Sequence, residues 1–148
     1  MLTHEQALAL ILQNSKTLEK VCIPLDQALG HILAQDIKAN LPFPHFDNSA
    51  VDGFAVRFQG GDLKEFKFSG EIPAGSFHSK PLKTGEAVSI YTGAPVPEGT
   101  DAVVMQEVAE RKNGSVYLQN SPKRSENIRL RGEDFKKGER LLLKGICL

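Results

Sequence analysis

Several features are scarce or missing in this 148-residue sequence, and each absence excludes a class of protein. The two cysteines, Cys22 and Cys147, are too few and too far apart for a disulfide framework or a cysteine-based metal site. We expect both to be reduced thiols that pack as small apolar side chains in a cytoplasmic protein. Eighteen basic residues balance eighteen acidic ones, and this net charge of zero argues against a nucleic-acid-binding protein.

Membrane attachment and secretion are disfavoured as well. No apolar run approaches the length of a spanning helix, and residues 1–5 lack the basic flank of a signal peptide. No Ser/His/Asp arrangement is recognisable, and four histidines show no metal-ligand spacing: His4, His31, His45 and His78. The composition, 41% hydrophobic and 24% charged, is typical of one ordinary globular domain or two small ones.

The first residues predict a short amphipathic helix. Thr3 and Gln6 have the spacing of a capping box, and the pattern ends near Ser15. Three apolar residues repeat with helical spacing: Leu8, Ile11 and Leu12. This apolar stripe needs a packing partner, which need not lie within the chain.

Beyond residue 40 the pattern changes to short β-type runs separated by Gly, Pro, Asn and Asp. A helical turn at 24–29 and a strand around Ile32 and Ile37 come before them. Asn113-Gly114 is typical of a type I′ hairpin. The predicted runs are 53–58, 66–69, 87–91, 102–108 and 115–118. Many short strands at this spacing favour a compact β-rich barrel or sandwich.

The densest polar cluster lies at residues 46–53. Asp47 suits a turn that bonds neighbouring amides as well as it suits a functional role. Gly53 would allow a ligand to approach the backbone closely, and the Asp52 carboxylate could hold a metal ion or a reacting water. An EF-hand is excluded, because Asp52 occupies the loop position that requires glycine.

Two further segments contain polar residues that could bind an anion. The loop 91–101 contains two prolines and two glycines; it is either a rigid connector or a place where Thr92 offers its hydroxyl and backbone amides to an anion. In the segment 127–134, strand alternation predicts Asn127, Arg129 and Arg131 on one face. Two guanidinium groups suit an oxyanion, and the alternative is a solvated face paired with the acidic residues at 133 and 134.

These motifs resemble the signature segments of the molybdopterin molybdenumtransferases, the family of bacterial MoeA and the C-terminal part of gephyrin. Residues 46–56 are similar to the signature loop, with Val51 where the family usually has Met and Phe54 where it has Tyr. Other matching segments follow in the family's order: 70–75, 92–99, 101–107 and 127–134. The resemblance covers most of the chain from Pro24 to Gly138.

The resemblance implies a cytoplasmic enzyme of molybdenum cofactor biosynthesis. Such an enzyme inserts molybdate into adenylylated molybdopterin and releases AMP with the help of a divalent cation, Mg²⁺. The full-length protein is expected to be a homodimer, with a molybdopterin adenylyltransferase-type upstream enzyme as a further partner, and to bind neither nucleic acid nor membrane.

The resemblance also implies an α+β, β-rich fold, in which the compact β domain is inserted in a smaller, elongated α/β element with an N-terminal helix. The expected bounds are 1–17 for the helix, 18–38 with 132–148 for an incomplete first domain, and 39–131 for the β-rich second domain. The family's adenylyltransferase-like α/β domain and C-terminal β domain are missing, and apolar residues continue up to Leu148. We therefore expect a fragment that is inactive alone; a terminal strand that docks into the sheet is the alternative.

Carried over by motif, Asp52 would be the catalytic or metal-organising carboxylate and is the one candidate metal ligand. Thr92 would line the same cleft, and Arg129 would meet an anionic group of the substrate. Three further substrate-binding candidates are Asp134, Asn48 and Ser49. Two other interpretations stay open: a scaffolding module without pterin binding, and a truncated product without independent activity.

Overall fold

A computed structural model describes residues 1–58, 60, 62–73, 75–76 and 80–148. The chain divides into two compact units, residues 1–37 with 140–148 and residues 38–139. The second unit is therefore inserted between the two segments of the first. The predicted three-part division at residues 17, 38 and 131 stays a prediction.

The described residues form one α-helix and ten short strands. The helix α1 spans His4–Asn14. The strands are β1 (Ile37–Lys38), β2 (Asn48–Ser49), β3 (Gly53–Val56), β4 (Glu65–Ile72), β5 (Glu86–Ile90), β6 (Ala102–Met105), β7 (Ala109–Lys112), β8 (Ser115–Leu118), β9 (Ile128–Arg129) and β10 (Arg140–Leu142). The predicted mostly-β fold with an N-terminal helix is thus confirmed.

In the first unit, α1 begins at the predicted capping box. The Thr3 hydroxyl accepts the Gln6 amide at 3.3 Å, and the Gln6 side chain accepts the Thr3 amide at 3.0 Å. A 3-10 turn follows at Leu25–Gln27. No residue of α1 is buried, so the apolar stripe predicted from its periodicity is exposed to solvent in this chain.

In the second unit, six strands form one sheet in the order β6-β3-β5-β4-β8-β7, which curls into half a barrel. The β4–β5 pair is parallel and the other neighbours are antiparallel. Asn113 and Gly114 join β7 to β8 with φ of 52° and 80°, as the type I′ prediction requires. The predicted strand 102–108 is too long, because residues 106–108 form a 3-10 turn.

The core of this unit lies on both faces of the sheet. All four residues of β3 are buried, and successive side chains enter two different apolar clusters. Phe54 and Val56 belong to one cluster, and Ala55 belongs to the other with Val88 and Val103. Because side chains alternate along a strand, a central strand covered on both faces has to be apolar throughout.

The outer edge of β6 is covered by residues 125–127. The Val103 amide donates to the Glu126 carbonyl, and the Asn127 side-chain amide donates to the Val103 carbonyl, both at 2.9 Å. This contact satisfies backbone groups that an edge strand would otherwise leave open. Asn127 has a φ of 53°, so the predicted alternation over 127–131 is wrong: only Ile128–Arg129 is a strand, and Asn127 faces β6.

Two expectations from the composition are now decided for the described residues. Cys22 and Cys147 are free thiols, as predicted, but both are exposed. The prediction that they pack as small apolar side chains is therefore wrong. Within the described residues, no helix has both the length and the apolar character needed to cross a membrane.

Candidate active site

Short strand pairs bring the three polar segments together. β2 and β9 are antiparallel, with Asn48 opposite Arg129, and Asn48 also bridges Pro95. The Asp47 carboxylate accepts the Arg131 amide at 2.7 Å across 84 positions of sequence. Asp47 therefore ties two segments together, a role that neither of its sequence-based interpretations contained.

Asp52 and Thr92 form the centre of this assembly. The Thr92 amide and hydroxyl both donate to Oδ1 of Asp52, each at 2.7 Å. These bonds hold the pKa of Asp52 below its ordinary value, with the hydroxyl contributing more than the amide. Oδ2 of Asp52 has no hydrogen-bond partner among the residues that the structure describes, so it is open to a water or a cation.

The pairing of β3 with β6 requires a glycine at position 53. A Cβ atom at this position would overlap the carbonyl oxygen of Val104 on β6. The interpretation that Gly53 permits close approach of a ligand stays a prediction. The glycine lets β3 and β6 pair closely, and this pairing places Asp52 at the end of a rigid strand.

Two open clefts meet at Ala50 and Thr92. The first, of about 410 Å³, is lined by Asp52 and Glu107 and is called the acidic cleft below. The second, of about 400 Å³, contains Arg129 and several rings and is called the aromatic cleft. Its remaining lining residues are Phe43, Pro44, His45, Phe46, Asn48, Ser49 and Gly93. Both volumes lie in the range of small-molecule sites.

Arg129 is held between two acidic side chains. Its Nη2 contacts Oδ1 of Asp134 at 2.5 Å, and its Nε lies 3.7 Å from Oε1 of Glu133. The hydrogen bond that Arg129 donates to Asp134, followed by the charge of Asp134, raises the pKa of Arg129 above the ordinary value. The guanidinium is half-exposed, so these pairs are screened by water and serve mainly to orient it.

The remaining predicted site residues are less available. Ser49 is only 1% exposed, and its hydroxyl donates to the Val51 carbonyl at 2.5 Å. Asn48 is 8% exposed and donates to the Phe46 carbonyl at 3.4 Å. Both residues line the aromatic cleft, and their substrate-binding role stays a prediction.

The structure adds residues that the sequence motifs did not single out. Glu107 lines the acidic cleft together with Asp52, although its place in a predicted strand gave no reason to select it. The Tyr91 hydroxyl donates to Glu71 at 2.7 Å beside the Asp52 loop. This hydrogen bond, more than the charge of Glu71, raises the pKa of Tyr91. In the sequence, only its position next to Thr92 suggested a role for Tyr91 in the site.

No group of three or more Asp, Glu, His or Cys side chains suited to a metal ion occurs among the described residues. His78 lies outside the described residues, as does Ala74 of the 70–75 motif. A cation in the acidic cleft would therefore rely on one or two carboxylates.

Comparison with known proteins shows the family. The family model of the MoeA N-terminal region, domain I and II, matches residues 2–148. The chain belongs to this family. The resemblance expected from the motifs is thereby confirmed, and it extends over nearly the whole chain.

Relatives of the MoeA family include two curated proteins named molybdopterin molybdenumtransferase. The one from Staphylococcus epidermidis is 38% identical over 96% of this chain and 35% of its own length. The one from Haemophilus influenzae is 40% identical over the whole chain and 37% of its own length. The chain thus spans about a third of these relatives.

A solved structure has the same fold. The crystal structure of the molybdopterin biosynthesis MoeA protein from Pyrococcus horikoshii superposes with a TM-score of 0.78. It is 38% identical, and the match covers 85% of this chain and 35% of that one.

Proposed function

We propose that this chain supplies the Asp52, Thr92 and Arg129 part of the active site of a molybdopterin molybdenumtransferase. The reaction inserts molybdate into adenylylated molybdopterin with release of AMP. The observation that carries the proposal is the pair of hydrogen bonds from Thr92 to Asp52 at the junction of the two clefts. The names of the relatives support the choice of substrate.

Each residue has a role that its surroundings favour. Asp52 stays ionised because Thr92 donates to it, and its open Oδ2 positions a water or a cation against the phosphoanhydride. Arg129 orients an anionic group through N–H donors that Asp134 leaves free. Asp134 contributes indirectly, because it orients the guanidinium of Arg129 that contacts the substrate. Charge neutralisation and a positioned water are what hydrolysis of the adenylyl link requires.

The residues of the acidic cleft fit Mg²⁺ as a weakly held ion. Mg²⁺ at nucleotide sites is usually bound by one or two carboxylates together with substrate phosphates and waters. Asp52 and Glu107 line one cleft and supply two carboxylates. When bound, the ion would neutralise charge on the phosphate oxygens. The homodimer and the adenylyltransferase-type partner stay predictions.

The test is molybdate-dependent AMP release by a chimera in which this chain replaces the matching third of the Haemophilus influenzae relative. The same assay on this chain alone, and on this chain mixed with the remainder, tests whether the site is composite. We expect Asp52→Asn in the chimera to lower turnover by about 100-fold or more, as removal of a positioned proton acceptor does.

Asp62→Asn is the matched control, because the Asp62 carboxylate bonds Ser121 and does not line either cleft. It should leave turnover unchanged. A folded, active chimera in which both variants behave alike would overturn the assignment of Asp52. A folded chimera without activity would overturn the proposed function.

A further inference from the structure

Thr92 lies in a tight turn that is fixed on its carboxyl-terminal side. The Ala94 amide donates to the Tyr91 carbonyl at 3.0 Å, which closes a β-turn with Thr92 at its second position. The Gly93 amide donates to the Ser49 carbonyl on β2 at 2.8 Å. This bond fixes the second half of the turn. The first half depends on Tyr91, which directly follows β5.

The Tyr91 side chain holds the first half of the turn. Its hydroxyl donates to Oε1 of Glu71 at 2.7 Å, across the parallel pair of β4 and β5. Because a tyrosine side chain has few rotatable bonds, fixing its hydroxyl also restricts the backbone that leads into Thr92. After the hydrogen bond to Glu71, which is the main cause, the charge of Asp52 also raises the pKa of Tyr91. The phenol therefore lies within electrostatic reach of the Asp52 carboxylate.

A β-bulge in β4 places Glu71 on the face of the sheet that carries the Tyr91 side chain. Phe68 packs against one apolar cluster, whereas Ile72 belongs to the other, although regular alternation would put both on one face. The register between β4 and β5 shifts between Phe68 and Gly70, and Gly70 has a φ of 146°. The extra residue reverses the alternation, so that Glu71 reaches Tyr91. Bulges re-aim side chains in this way beside functional sites.

A second tyrosine–glutamate pair on the same sheet provides a comparison. The Tyr117 hydroxyl donates to Oε1 of Glu65 at 3.0 Å. These two residues are direct partners in the register of β8 and β4, so their bond joins strands that are already paired. The bond of Tyr91 instead joins β4 to a residue beyond the end of β5, directly before Thr92. Only the Tyr91 bond therefore bears on the turn that contains Thr92.

We propose that Tyr91 and Glu71 act together as positioning residues for the Asp52 site. Their hydrogen bond holds the turn so that the amide and the hydroxyl of Thr92 both meet Oδ1 of Asp52. Both side chains are exposed, so the bond affects the geometry of the turn more than the overall stability. The assignment deepens the proposed function and relies on it for the identity of the reaction.

The first test is two-dimensional ¹H–¹⁵N NMR of the 148-residue chain, in which the Thr92 amide proton reports its bond to Asp52. We expect Glu71→Val to move this proton upfield and to speed its exchange with solvent about fivefold, because the bond to the carboxylate weakens. Tyr91→Phe should have the same effect, and the double variant should add nothing to either single change. Glu71→Gln keeps an acceptor and should restore most of the wild-type signal.

The second test is turnover by the chimera. Tyr91→Phe should lower kcat about fivefold and leave KM unchanged, because the bond orients the reacting carboxylate and does not bind substrate. Glu71→Gln should keep more of the wild-type kcat than Glu71→Val. An unchanged kcat in both Tyr91→Phe and Glu71→Val would overturn the positioning role.

Tyr117→Phe and Glu65→Val are the matched controls, because they remove the same kind of bond from the same sheet. Neither should change the Thr92 amide or kcat. An unchanged Thr92 amide in Tyr91→Phe and Glu71→Val, or equal effects of Tyr91→Phe and Tyr117→Phe in folded variants, would overturn the assignment. Additive effects in the double variant would do the same. An inactive chimera would overturn the proposed function, while the NMR measurement would still decide whether the pair holds the turn.

Discussion

Thr92 donates two hydrogen bonds to one oxygen of Asp52, one from its amide and one from its hydroxyl, although 40 positions separate the residues. The carboxylate is thereby fixed in orientation and kept ionised, and Asp52 lines the acidic cleft. Thr92 is next to Gly93, whose amide donates to the Ser49 carbonyl at 2.8 Å, so the same loop also supports β2. The arrangement of this carboxylate depends on the loop that contains Thr92.

Thr92→Val should raise the pKa of Asp52 toward its ordinary value. The hydroxyl bond is the larger cause of the lowered pKa, and the Thr92 amide, which the substitution keeps, should prevent a full return. ¹³C NMR of the carboxyl groups measures this shift. In the active chimera, the acidic limb of the pH–rate profile should move to higher pH. Thr100→Val is the control, because the Thr100 hydroxyl bonds the Pro97 carbonyl; an equal shift in both variants would contradict the prediction.

Glu71→Val should lower the pKa of Tyr91. The hydrogen bond to Glu71 is the main cause of the raised value, and the charge of Glu71 is the next. Glu71→Gln should give an intermediate value, since it keeps an acceptor and removes the charge. The ultraviolet absorbance of tyrosinate, measured in a Tyr117→Phe background, isolates Tyr91. An unchanged titration would show that the Tyr91–Glu71 bond does not form in solution.

Gly53→Ala should destabilise the second unit by more than about 3 kcal/mol, because the added methyl group overlaps the Val104 carbonyl of a paired strand. Gly85→Ala is the control: its Cβ would meet open space, and only its φ of 78° opposes the substitution. That strain should cost about 1–2 kcal/mol. Urea unfolding measures both, and equal losses would refute the close approach of β3 and β6.

Asn127→Gly should lower the free energy of unfolding less than Asn127→Ala does. Asn127→Gly loses the bond to the Val103 carbonyl, a loss of about 1 kcal/mol, and keeps the left-handed conformation. Asn127→Ala loses the bond and adds the strain of a positive φ, about 1–2 kcal/mol more. The free energies of unfolding in urea test this order. Equal values for the two variants would mean that the left-handed conformation is not required.

Local patterns predicted several elements of the fold. The capping box of α1 and the Asn113-Gly114 turn depend on neighbours within a few residues, so the sequence suffices to identify them. The β-type runs were found for the same reason, although their ends were less reliable. The predicted strand at 102–108 was too long, because residues 106–108 form a 3-10 turn. The Gln106 amide at the start of this turn donates to the Asp52 carbonyl, a contact that the local sequence could not reveal.

The candidate site was only partly predictable. Asp52, Thr92 and Arg129 were selected by motif, and the structure brings their segments together. The sequence could not show that Ser49 is buried or that Gly53 is required by β6, because both depend on a strand from a distant part of the chain. Glu107 and Phe43 were missed since each gains its place in a cleft only after the loops meet.

The sequence by itself determined the membership in the MoeA family, the mostly-β character of the chain and the residue types available for chemistry. Those depend on composition, on spacing and on motifs that are contiguous in the chain. The tertiary structure decided which of these residues share a cleft, which carboxylate oxygen stays open and which guanidinium donors stay free. The physical reason is that hydrogen bonds across 40 to 84 positions, such as Thr92 to Asp52 and Arg131 to Asp47, form only when the sheet brings the loops together.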